Sequence, residues 1–247
     1  MNDALRVLQG AKQSATTSAY VPKSTEIIAS IKQVSKRYKV GRTHVEALQN
    51  VTLEVYKGEF VALTGTSGSG KSTLLQLIGG LDKPTGGTVE IEGQNLAKLN
   101  DHRLSRFRNR TIGFVFQFFY LQPFLNLQTN IEVPAMFART KRSLRRSRSK
   151  ELADLVGLTD RLRHLPRELS GGQMQRAAIA RALQNQPSIL LADEPTGNLD
   201  RKNALAIFDL FRDICEQQGT TVIVVTHDLG LAATADRVIE LCDGAIA

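Results

Sequence analysis

The stretch EFVALTGTSGSGKSTLLQLIGGL, residues 59–81, decides the fold. Its first residues read as an apolar strand, the pattern Gly65-x4-Gly70-Lys71-Ser72 follows, and a helical periodicity begins at the lysine. A loop with this spacing between strand and helix binds phosphate, because its glycines allow a tight turn whose backbone N–H groups surround the anion. We therefore predict an α/β fold, a P-loop NTPase core with a mainly parallel sheet.

This loop supplies two reactive side chains and a set of backbone donors. Lys71 carries a full positive charge for the β- and γ-phosphates, and the Ser72 hydroxyl is a ligand for Mg²⁺. The other loop positions expected around the phosphates are Gly65, Ser67, Gly68, Ser69, Gly70 and Thr73. A nucleoside triphosphate with Mg²⁺ is therefore the expected ligand.

Three more apolar runs read as strands that end in polar residues: TIGFVFQ (111–117), SILLADE (188–194) and TTVIVVTHD (220–228). Open parallel sheets bind ligands at the C-terminal edge of their strands, so these side chains should meet beside the loop. Asp193 is expected to hold Mg²⁺, and Glu194 to polarise the attacking water. His227 is placed to contact the γ-phosphate and hold that water, and Gln117 to sense Mg²⁺ or the γ-phosphate.

Two regions interrupt the alternation of strand and helix. Residues 26–58 and 87–93 have the pattern of hairpin strands beside the core, which indicates an N-terminal antiparallel β subdomain. Residues 118–187 contain only helical and loop patterns, which indicates an inserted α-helical subdomain. We expect one domain over residues 26–247, preceded by a flexible extension, residues 1–25.

The amino-acid composition favours a soluble globular protein over one that spans a membrane. The chain has 247 residues, of which 42% are hydrophobic and 23% charged, as in an ordinary soluble globular protein. The nearest candidate for a membrane span, residues 111–131, contains several amides and a proline, so we do not expect it to cross a bilayer. Cys215 and Cys242 read as buried reduced thiols of a cytosolic protein.

The net charge of +8 is compatible with nucleic acid, a lipid surface or a nucleotide. The densest basic run, RTKRSLRRSRSK at 139–150, contains no acidic residue. A solvated helix face is the favoured interpretation, and an anionic lipid or another acidic partner is the alternative.

A second glycine turn, LSGGQ at 169–173, opens another helix. A helix N-terminus contributes about 0.3–1 kcal/mol toward an anion, far less than a triphosphate requires without a lysine and metal ligands. The turn also follows RHLPRE instead of a strand. It can complete a phosphate site but cannot form one by itself, so a second copy of the chain is the natural place for its target.

GTSGSGKST, Gln117, LSGGQ, ILLADEP and His227, in this order, resemble the nucleotide-binding subunit of an ATP-binding cassette (ABC) transporter. The resemblance covers about residues 27–247, and LSGGQ is very specific to that family. It implies ATP and Mg²⁺ as ligands and ATP hydrolysis coupled to transport. It also implies a head-to-tail dimer, in which one subunit caps the γ-phosphate bound by the other through Ser170, Gly171, Gly172 and Gln173.

The resemblance implies further roles. Tyr38 matches the aromatic residue that stacks on adenine, and Asp200 lies in the loop that crosses the dimer interface. Within the family, IGGLDKPTGG, RNRTIGFVFQ and PTGNLD resemble the branch that serves lipoprotein release, macrolide-type export and mechanotransmission. Tyr120, Gln122 and FLNLQTN depart from the commoner form of that branch.

Six of the fourteen aromatic residues lie within FVFQFFYLQPF, residues 114–124. Strand alternation predicts that Phe114 and Phe116 belong to the core. The side chains beyond Gln117 are too many for one loop to bury, and exposed apolar groups mark partner surfaces. The resemblance implies that a cytoplasmic coupling helix of an integral membrane permease docks near Phe118, Phe119, Tyr120, Leu121 and Phe124.

The favoured function is an ATPase that dimerises around two ATP molecules and energises a membrane partner, of an exporter or lipoprotein-release type, from the cytoplasmic face of the membrane. A soluble ABC ATPase acting on nucleic acid or ribosomes is the alternative. The tandem cassettes and long insertions of that class are missing from the sequence, so nucleic acid is not the expected partner. A division-type or signalling complex, which moves no solute, is a third possibility.

Overall fold

The structure, a computed structural model, describes residues 24–247. The predicted flexible extension therefore lies outside the described residues, except for positions 24 and 25. The strands are β1 (Ile27–Val40), β2 (Thr43–Tyr56), β3 (Phe60–Thr64), β4 (Gly86–Ile91), β5 (Gln94–Asn95), β6 (Ile112–Phe116), β7 (Ile189–Asp193), β8 (Thr221–Val225), β9 (Arg237–Cys242) and β10 (Ala245–Ile246). The α-helices are α1 (Lys71–Ile78), α2 (Asp101–Thr111), α3 (Leu127–Phe137), α4 (Arg142–Leu155), α5 (Gly171–Ala182), α6 (Arg201–Gln218) and α7 (Leu229–Ala232), and short 3-10 helices span Leu96–Lys98, Thr159–Arg161 and Pro166–Glu168.

The larger sheet forms the centre of the molecule and has the strand order β10-β9-β3-β8-β7-β6. Neighbouring strands from β9 to β6 run parallel, and β10 alone pairs antiparallel, with β9. β3 and β8 are buried along their whole length, because alternate residues face two separate hydrophobic clusters. The predicted mainly parallel core is confirmed.

The smaller sheet is antiparallel and has the order β2-β1-β4-β5. β1 and β2 form a long hairpin, and β4 pairs with the other side of β1. Residues of this sheet share a hydrophobic cluster with α1 and one face of the larger sheet. The hairpin strands expected from residues 26–58 and 87–93 are confirmed.

The helices α3, α4 and α5 lie between β6 and β7 in the chain, within the region where the sequence shows no strand pattern. They share a hydrophobic cluster with α6 and with the other face of the larger sheet. Arg145 of α4 pairs with the mostly buried Glu132 of α3, at 3.0 Å between Nε and Oε2. The basic run 139–150 is therefore only partly a solvated face, because one of its arginines holds two helices together.

α2 and β9 were not predicted from the sequence, nor were the short elements β5, α7 and β10, and one cysteine was placed wrongly. α2 buries only Leu104, Phe107 and Thr111, so its apolar periodicity is weak, although Asn100 caps it in the usual way. β9 has an alternating pattern that would have identified it. The prediction that both cysteines are buried is wrong for Cys242, which lies exposed at the end of β9, whereas Cys215 is buried in α6.

Candidate nucleotide site

The phosphate loop lies between β3 and α1, as the sequence predicts. Two of its glycines combine a positive φ with packing too close for a side chain. Gly65 has φ +135, and a Cβ there would lie 2.1 Å from the Leu241 carbonyl oxygen. Gly70 has φ +98, and a Cβ there would lie 2.5 Å from the Ala47 carbonyl oxygen. The spacing of the motif therefore serves two needs, a turn with positive φ and close packing against β9 and β2.

The first turn of α1 faces this loop. Gly70 is the N-cap residue and makes no side-chain cap, so it leaves the N-terminal N–H groups of the helix without the usual capping side chain. Lys71 is buried, and its Nζ donates to the carbonyl oxygens of Gly65 at 3.0 Å and Thr66 at 2.7 Å. These carbonyl dipoles only partly compensate a buried cation, and a phosphate oxygen would offer it a full negative charge. Of the other loop residues, Ser67 and Gly68 are exposed, Thr73 is half-buried and Ser69 is buried.

Two residues from distant parts of the chain form a candidate Mg²⁺ position. The Ser72 hydroxyl donates to Asp193 Oδ1 at 2.9 Å, which joins the start of α1 to the end of β7. Burial raises the pKa of Asp193, and the Ser72 hydrogen bond and the charge of Lys71 only partly offset this. A hydroxyl beside a poorly solvated carboxylate suits a hard cation, which needs only one or two protein ligands when a phosphate supplies others. Within residues 24–247, no cluster of three or more His, Cys, Asp or Glu could hold a metal alone.

The next residue, Glu194, is joined to the end of β8. Its Oε2 lies 2.9 Å from His227 Nδ1, and its backbone N–H donates to the Val225 carbonyl at 3.0 Å. Glu194 has φ +46, a left-handed conformation that is uncommon for a non-glycine residue and occurs often at functional sites. The side chain of His227 is 74% exposed and that of Glu194 is 22% exposed. The pair therefore faces solvent at the same sheet edge as Asp193.

Gln117 follows β6 and lies at this edge too. It lines a cavity of about 540 Å³ together with Ser72, Asp193 and Glu194. Its carbonyl oxygen accepts from Asn198 Nδ2 at 3.1 Å, and its amide lies against Gly197, in the segment that follows Glu194. Gln117 therefore lines the same cavity as Ser72, Asp193 and Glu194, and His227 is joined to this edge through Glu194.

Tyr38 lies near the exposed end of β1. Its hydroxyl donates to Asp82 Oδ2 at 2.9 Å, and Lys36 Nζ lies 4.8 Å from the centre of its ring. Asp82 and Lys36 were not identified from the sequence. They are 46 residues apart in the chain, and no local pattern connects them.

The LSGGQ turn caps α5 and packs on the start of α6. Ser170 and Gln173 cap each other, because the Ser170 N–H donates to Gln173 Oε1 at 2.9 Å and the Gln173 N–H donates to Ser170 Oγ at 3.3 Å. A Cβ at Gly172 would lie 2.6 Å from Asn203 Oδ1. Asn203 Nδ2 donates to Asp200 Oδ2 at 2.6 Å, and Asp200 is the N-cap residue of α6. Asn203, which the sequence did not single out, therefore joins the glycine turn to Asp200.

The turn is open on one side. Ser170 and Asp200 are exposed, and Gly171 is half-buried against Leu199 and Phe119. Hydrogen bonds from the backbone and side chain of Asn203 hold the pKa of Asp200 below its usual value. Ser170, Gly171 and an ionised Asp200 thus form one surface, whereas Gly172 is buried. The hydrogen bonds of this surface are internal to the turn and α6.

The aromatic segment 118–124 is only partly exposed. Phe118, Tyr120 and Phe124 are exposed, and Phe124 is 91% accessible. The expectation of exposure is wrong for Phe119 and Leu121, which are half-buried, and Leu121 packs on the hydrophobic cluster below it. Arg181 of α5 donates to the carbonyl oxygens of Tyr120 at 2.5 Å and Phe119 at 2.9 Å, so the segment is tied to the LSGGQ helix.

Strand alternation predicted that Phe114 and Phe116 belong to the core, but both are half-buried, and of the two only Phe114 packs against a described core cluster. β6 is an edge strand of the larger sheet, so the face on which these rings stack, 5.7 Å apart, is open. Phe114 also lines a groove of about 870 Å³ between α2 and the end of α3, which we call the α2–α3 groove. Leu81 and Phe114 line both this groove and the cavity at Gln117.

The α2–α3 groove is apolar and basic. The exposed Leu81 and Phe137, the latter 80% accessible, are its prominent apolar side chains. The described residues that line it include four arginines and no carboxylate: Arg106, Arg108, Arg110 and Arg139. No helix in residues 24–247 has the length and apolar content needed to cross a membrane.

Comparison with known proteins agrees with this geometry. The model of the ABC transporter family matches residues 48–197, more than half of the chain. The lipoprotein-releasing system ATP-binding protein LolD of Shewanella denitrificans is 46% identical over 223 residues, which are 90% of this chain and 95% of that protein. The macrolide export ATP-binding/permease protein MacB of Photorhabdus laumondii is 44% identical over 219 residues, 89% of this chain but only 34% of that longer protein.

A solved structure is similar over the same range. The dimeric ATP-binding cassette MJ0796, in a post-hydrolysis state bound to ADP and Pi, has a TM-score of 0.81 and 45% identity, covering 88% of this chain and 96% of that chain. The order of motifs, the strand-end side chains and the relatives agree with one another. The chain therefore belongs to the ABC transporter family.

Proposed function

We propose that this chain is the ATP-hydrolysing subunit of an ABC system, that it pairs head to tail with a second copy around two ATP molecules, and that it energises a membrane permease. One observation carries the proposal. The Ser72–Asp193 and Glu194–His227 pairs lie at one sheet edge beside Lys71, whereas the LSGGQ turn forms a separate surface with Asp200. The chain thus has the parts of an ATP site on two different surfaces.

The residues at the sheet edge divide the chemistry between them. Lys71 and the N–H groups at the start of α1 bind the β- and γ-phosphates. Ser72 and Asp193 would hold Mg²⁺, which supplies positive charge to the phosphate oxygens as charge develops there. Glu194 polarises the attacking water, and His227 holds Glu194 and the γ-phosphate in place. Gln117 faces the same cavity and responds to the presence of the γ-phosphate.

The second subunit supplies what one chain lacks. Ser170, Gly171 and Gly172 of one copy approach the γ-phosphate on the phosphate loop of the other, and Asp200 lies beside them at the interface. The dimeric state of the related cassette MJ0796 supports this arrangement. After hydrolysis the phosphate that bridges the two copies is lost, so the dimer opens.

The membrane partner is the finer part of the proposal. We place the docking permease segment on Phe118 to Phe124 and in the adjoining α2–α3 groove, at the cytoplasmic face of the membrane. The groove would favour a segment that carries both apolar and acidic side chains, because its own charges are basic. Relatives of the lipoprotein-release and macrolide-export type support a system of that branch. The reported relatives give no support to nucleic acid as the partner.

The substitution Glu194→Gln tests the proposal. It keeps the shape of the side chain but removes the charge that activates water, so hydrolysis should fall by about 100-fold or more. ATP then stays bound between two chains, and size-exclusion chromatography with ATP should show a stable dimer that the wild-type chain forms only transiently. Glu240→Gln, an exposed substitution on β9, is the matched control and should behave as wild type. A Glu194→Gln chain that remains monomeric at saturating ATP would contradict the shared site.

A further inference from the structure

Three side chains from two separate segments meet at the outer end of β1. Lys36 and Tyr38 belong to β1, whereas Asp82 lies in the loop after α1. Lys36 Nζ lies 2.7 Å from Asp82 Oδ1, and the Tyr38 hydroxyl donates to Asp82 Oδ2 at 2.9 Å. Both oxygens of one carboxylate are therefore used, one by each residue of the strand.

We propose that Lys36 and Asp82 are positioning residues that fix the ring of Tyr38 to receive the adenine of ATP. The proposal rests on the proposed function, in which Tyr38 stacks on the base. It adds two residues that act through Tyr38 and that would contribute to the preference for an adenine nucleotide.

The position of Tyr38 explains why the ring needs support. The residues that follow it, Lys39, Val40 and Gly41, are exposed at the tip of the β1–β2 hairpin. A half-exposed ring at such a tip can adopt several rotamers, and stacking on a base would have to select one of them at a cost in entropy. A ring that is fixed before ATP arrives avoids this cost.

The contacts around the ring fix both its hydroxyl and one face. Lys36 is buried, also donates to the Lys83 carbonyl at 2.7 Å, and places its ammonium over the ring. An aromatic ring has two faces, so the ammonium leaves the opposite one for a base, and cation and base then share one ring. Asp82 anchors the hydroxyl, which fixes the direction in which the ring points away from β1.

The pKa shifts of Asp82 and Tyr38 agree with the hydrogen bonds in this cluster. Burial alone would raise the pKa of Asp82, but hydrogen bonds from Lys36, the Lys83 backbone N–H and Tyr38 lower it overall. The carboxylate is therefore ionised at neutral pH, and its pairing with Lys36 screens its negative charge from bound phosphates. Burial and the hydrogen bond to Asp82 raise the pKa of Tyr38, opposed by a hydrogen bond with Thr73, so the phenol stays protonated and donates. Thr73 follows Ser72 directly, which sets the ring at a fixed place relative to the phosphate loop.

The test separates recognition of the base from recognition of the phosphates. Binding of ATP and of inorganic tripolyphosphate, which has no base, is measured for the full chain and for Asp82→Asn, Lys36→Met and Tyr38→Phe. Each variant should bind ATP about two- to tenfold more weakly, the range of one lost hydrogen bond, and should keep its affinity for tripolyphosphate. KM for ATP should rise more than kcat falls. Glu46→Gln is the matched control, because Glu46 pairs with Arg37 on the same hairpin at 3.2 Å and does not contact Tyr38.

The outcomes distinguish the positioning role of Lys36 and Asp82 from the stacking role of Tyr38, on which it rests. If Asp82→Asn and Lys36→Met leave ATP affinity unchanged while Tyr38→Ala weakens it, the positioning role is wrong and the stacking role stands. If Tyr38→Ala leaves ATP affinity unchanged, the stacking role fails, and the positioning role fails with it. If Asp82→Asn weakens ATP and tripolyphosphate equally, Asp82 only supports the loop after α1, and the inference is overturned. In a double variant, Tyr38→Phe with Asp82→Asn, the loss of ATP affinity should be smaller than the product of the two single losses, because both substitutions act on the same hydrogen bond.

Discussion

At the end of β7, Asp193, which we propose as a Mg²⁺ ligand, lowers the stability of the nucleotide-free protein. Burial raises the pKa of Asp193, although the Ser72 hydroxyl and the charge of Lys71 oppose this. A carboxyl group with a raised pKa binds its proton more tightly in the folded state than in the unfolded state. Stability therefore falls as the pH rises from the unfolded pKa through the folded pKa, and it stays lower above that range.

Replacing Asp193 by Asn should therefore stabilise the nucleotide-free protein while it abolishes hydrolysis. The amide oxygen can still accept from Ser72, and the poorly solvated charge is gone. We expect the thermal midpoint to rise by roughly 1–3 °C near neutral pH, a small effect because solvent still screens this partly buried group. The gain should shrink as the pH approaches the pKa of Asp193, which thermal unfolding at several pH values would measure.

Asp209→Asn on the exposed face of α6 is the control and should change neither stability nor hydrolysis. A loss of stability in Asp193→Asn at neutral pH would show that the charge of Asp193 stabilises the nucleotide-free fold, contrary to the direction of its pKa shift.

Single residues were predictable from the sequence where one short segment carries the signal. Asp193, Glu194 and His227 each end an apolar run, and parallel strands bring such ends together. Lys36 and Asp82 gave no such signal, because they are far apart in the chain and contact each other only in the folded structure. Asn203 gave none either, because its packing against Gly172 joins two separate segments. Phe114 and Phe116 are less buried than predicted, because alternation does not reveal that β6 is an edge strand.

Among the elements, α5 connects the LSGGQ turn to the aromatic segment on which we place the membrane partner. Its N-terminus carries the LSGGQ turn, and Arg181 in its last turn holds the carbonyl oxygens of Phe119 and Tyr120. Gln175, buried in the middle of the helix, donates to the Phe116 carbonyl at 3.3 Å. Burial lowers the pKa of Arg181, yet a guanidinium remains charged at neutral pH. The aromatic segment is thus hydrogen-bonded to the helix that carries Ser170, so a partner that docks on this segment can influence the LSGGQ turn.

The docking surface can be tested on this segment. Phe124 and Phe137 are the most exposed aromatic side chains near the α2–α3 groove, so Phe124→Glu with Phe137→Glu should leave the fold intact. We expect the doubly substituted chain to hydrolyse ATP as the wild-type chain does when isolated, and to lose at least about 90% of its co-purification with the membrane subunit.

Val238→Glu, a substitution of an exposed apolar residue on β9, should keep full co-purification and so controls for added negative charge. Undiminished co-purification of the Phe124→Glu, Phe137→Glu chain would place the docking surface elsewhere.

Elements with strong apolar periodicity were predictable, and the others were not. β3, β7 and β8 are apolar runs buried on both faces, and α6 ends at Gly219 with φ +64. α2 escaped prediction because it lies on the surface and is dominated by arginine. The capping pattern at Asn100 and Asp101 is the signal that would have revealed it.

At the scale of the whole molecule, the proposed function implies that one chain holds two incomplete halves of an ATP site. The phosphate loop, Asp193 and Glu194 form one half, and the LSGGQ turn with Asp200 forms the other. Two copies related by a two-fold axis bring unlike halves together twice, because an isologous interface uses each surface once on each subunit. The hydrolysis rate per chain should therefore depend on the concentration of chains.

Mixing two inactive variants tests whether each ATP site is shared between two chains. Ser170→Arg blocks the turn but leaves the phosphate loop intact, and Lys71→Ala removes the loop's charge but leaves the turn intact. Each variant alone should hydrolyse ATP at least about tenfold more slowly than the wild type. In an equal mixture, half of the dimers are mixed and half of their sites are intact, so activity should recover to about a quarter of the wild-type rate or somewhat less. A mixture no more active than the mean of its two components, with mixed dimers demonstrated, would contradict a site shared between two chains.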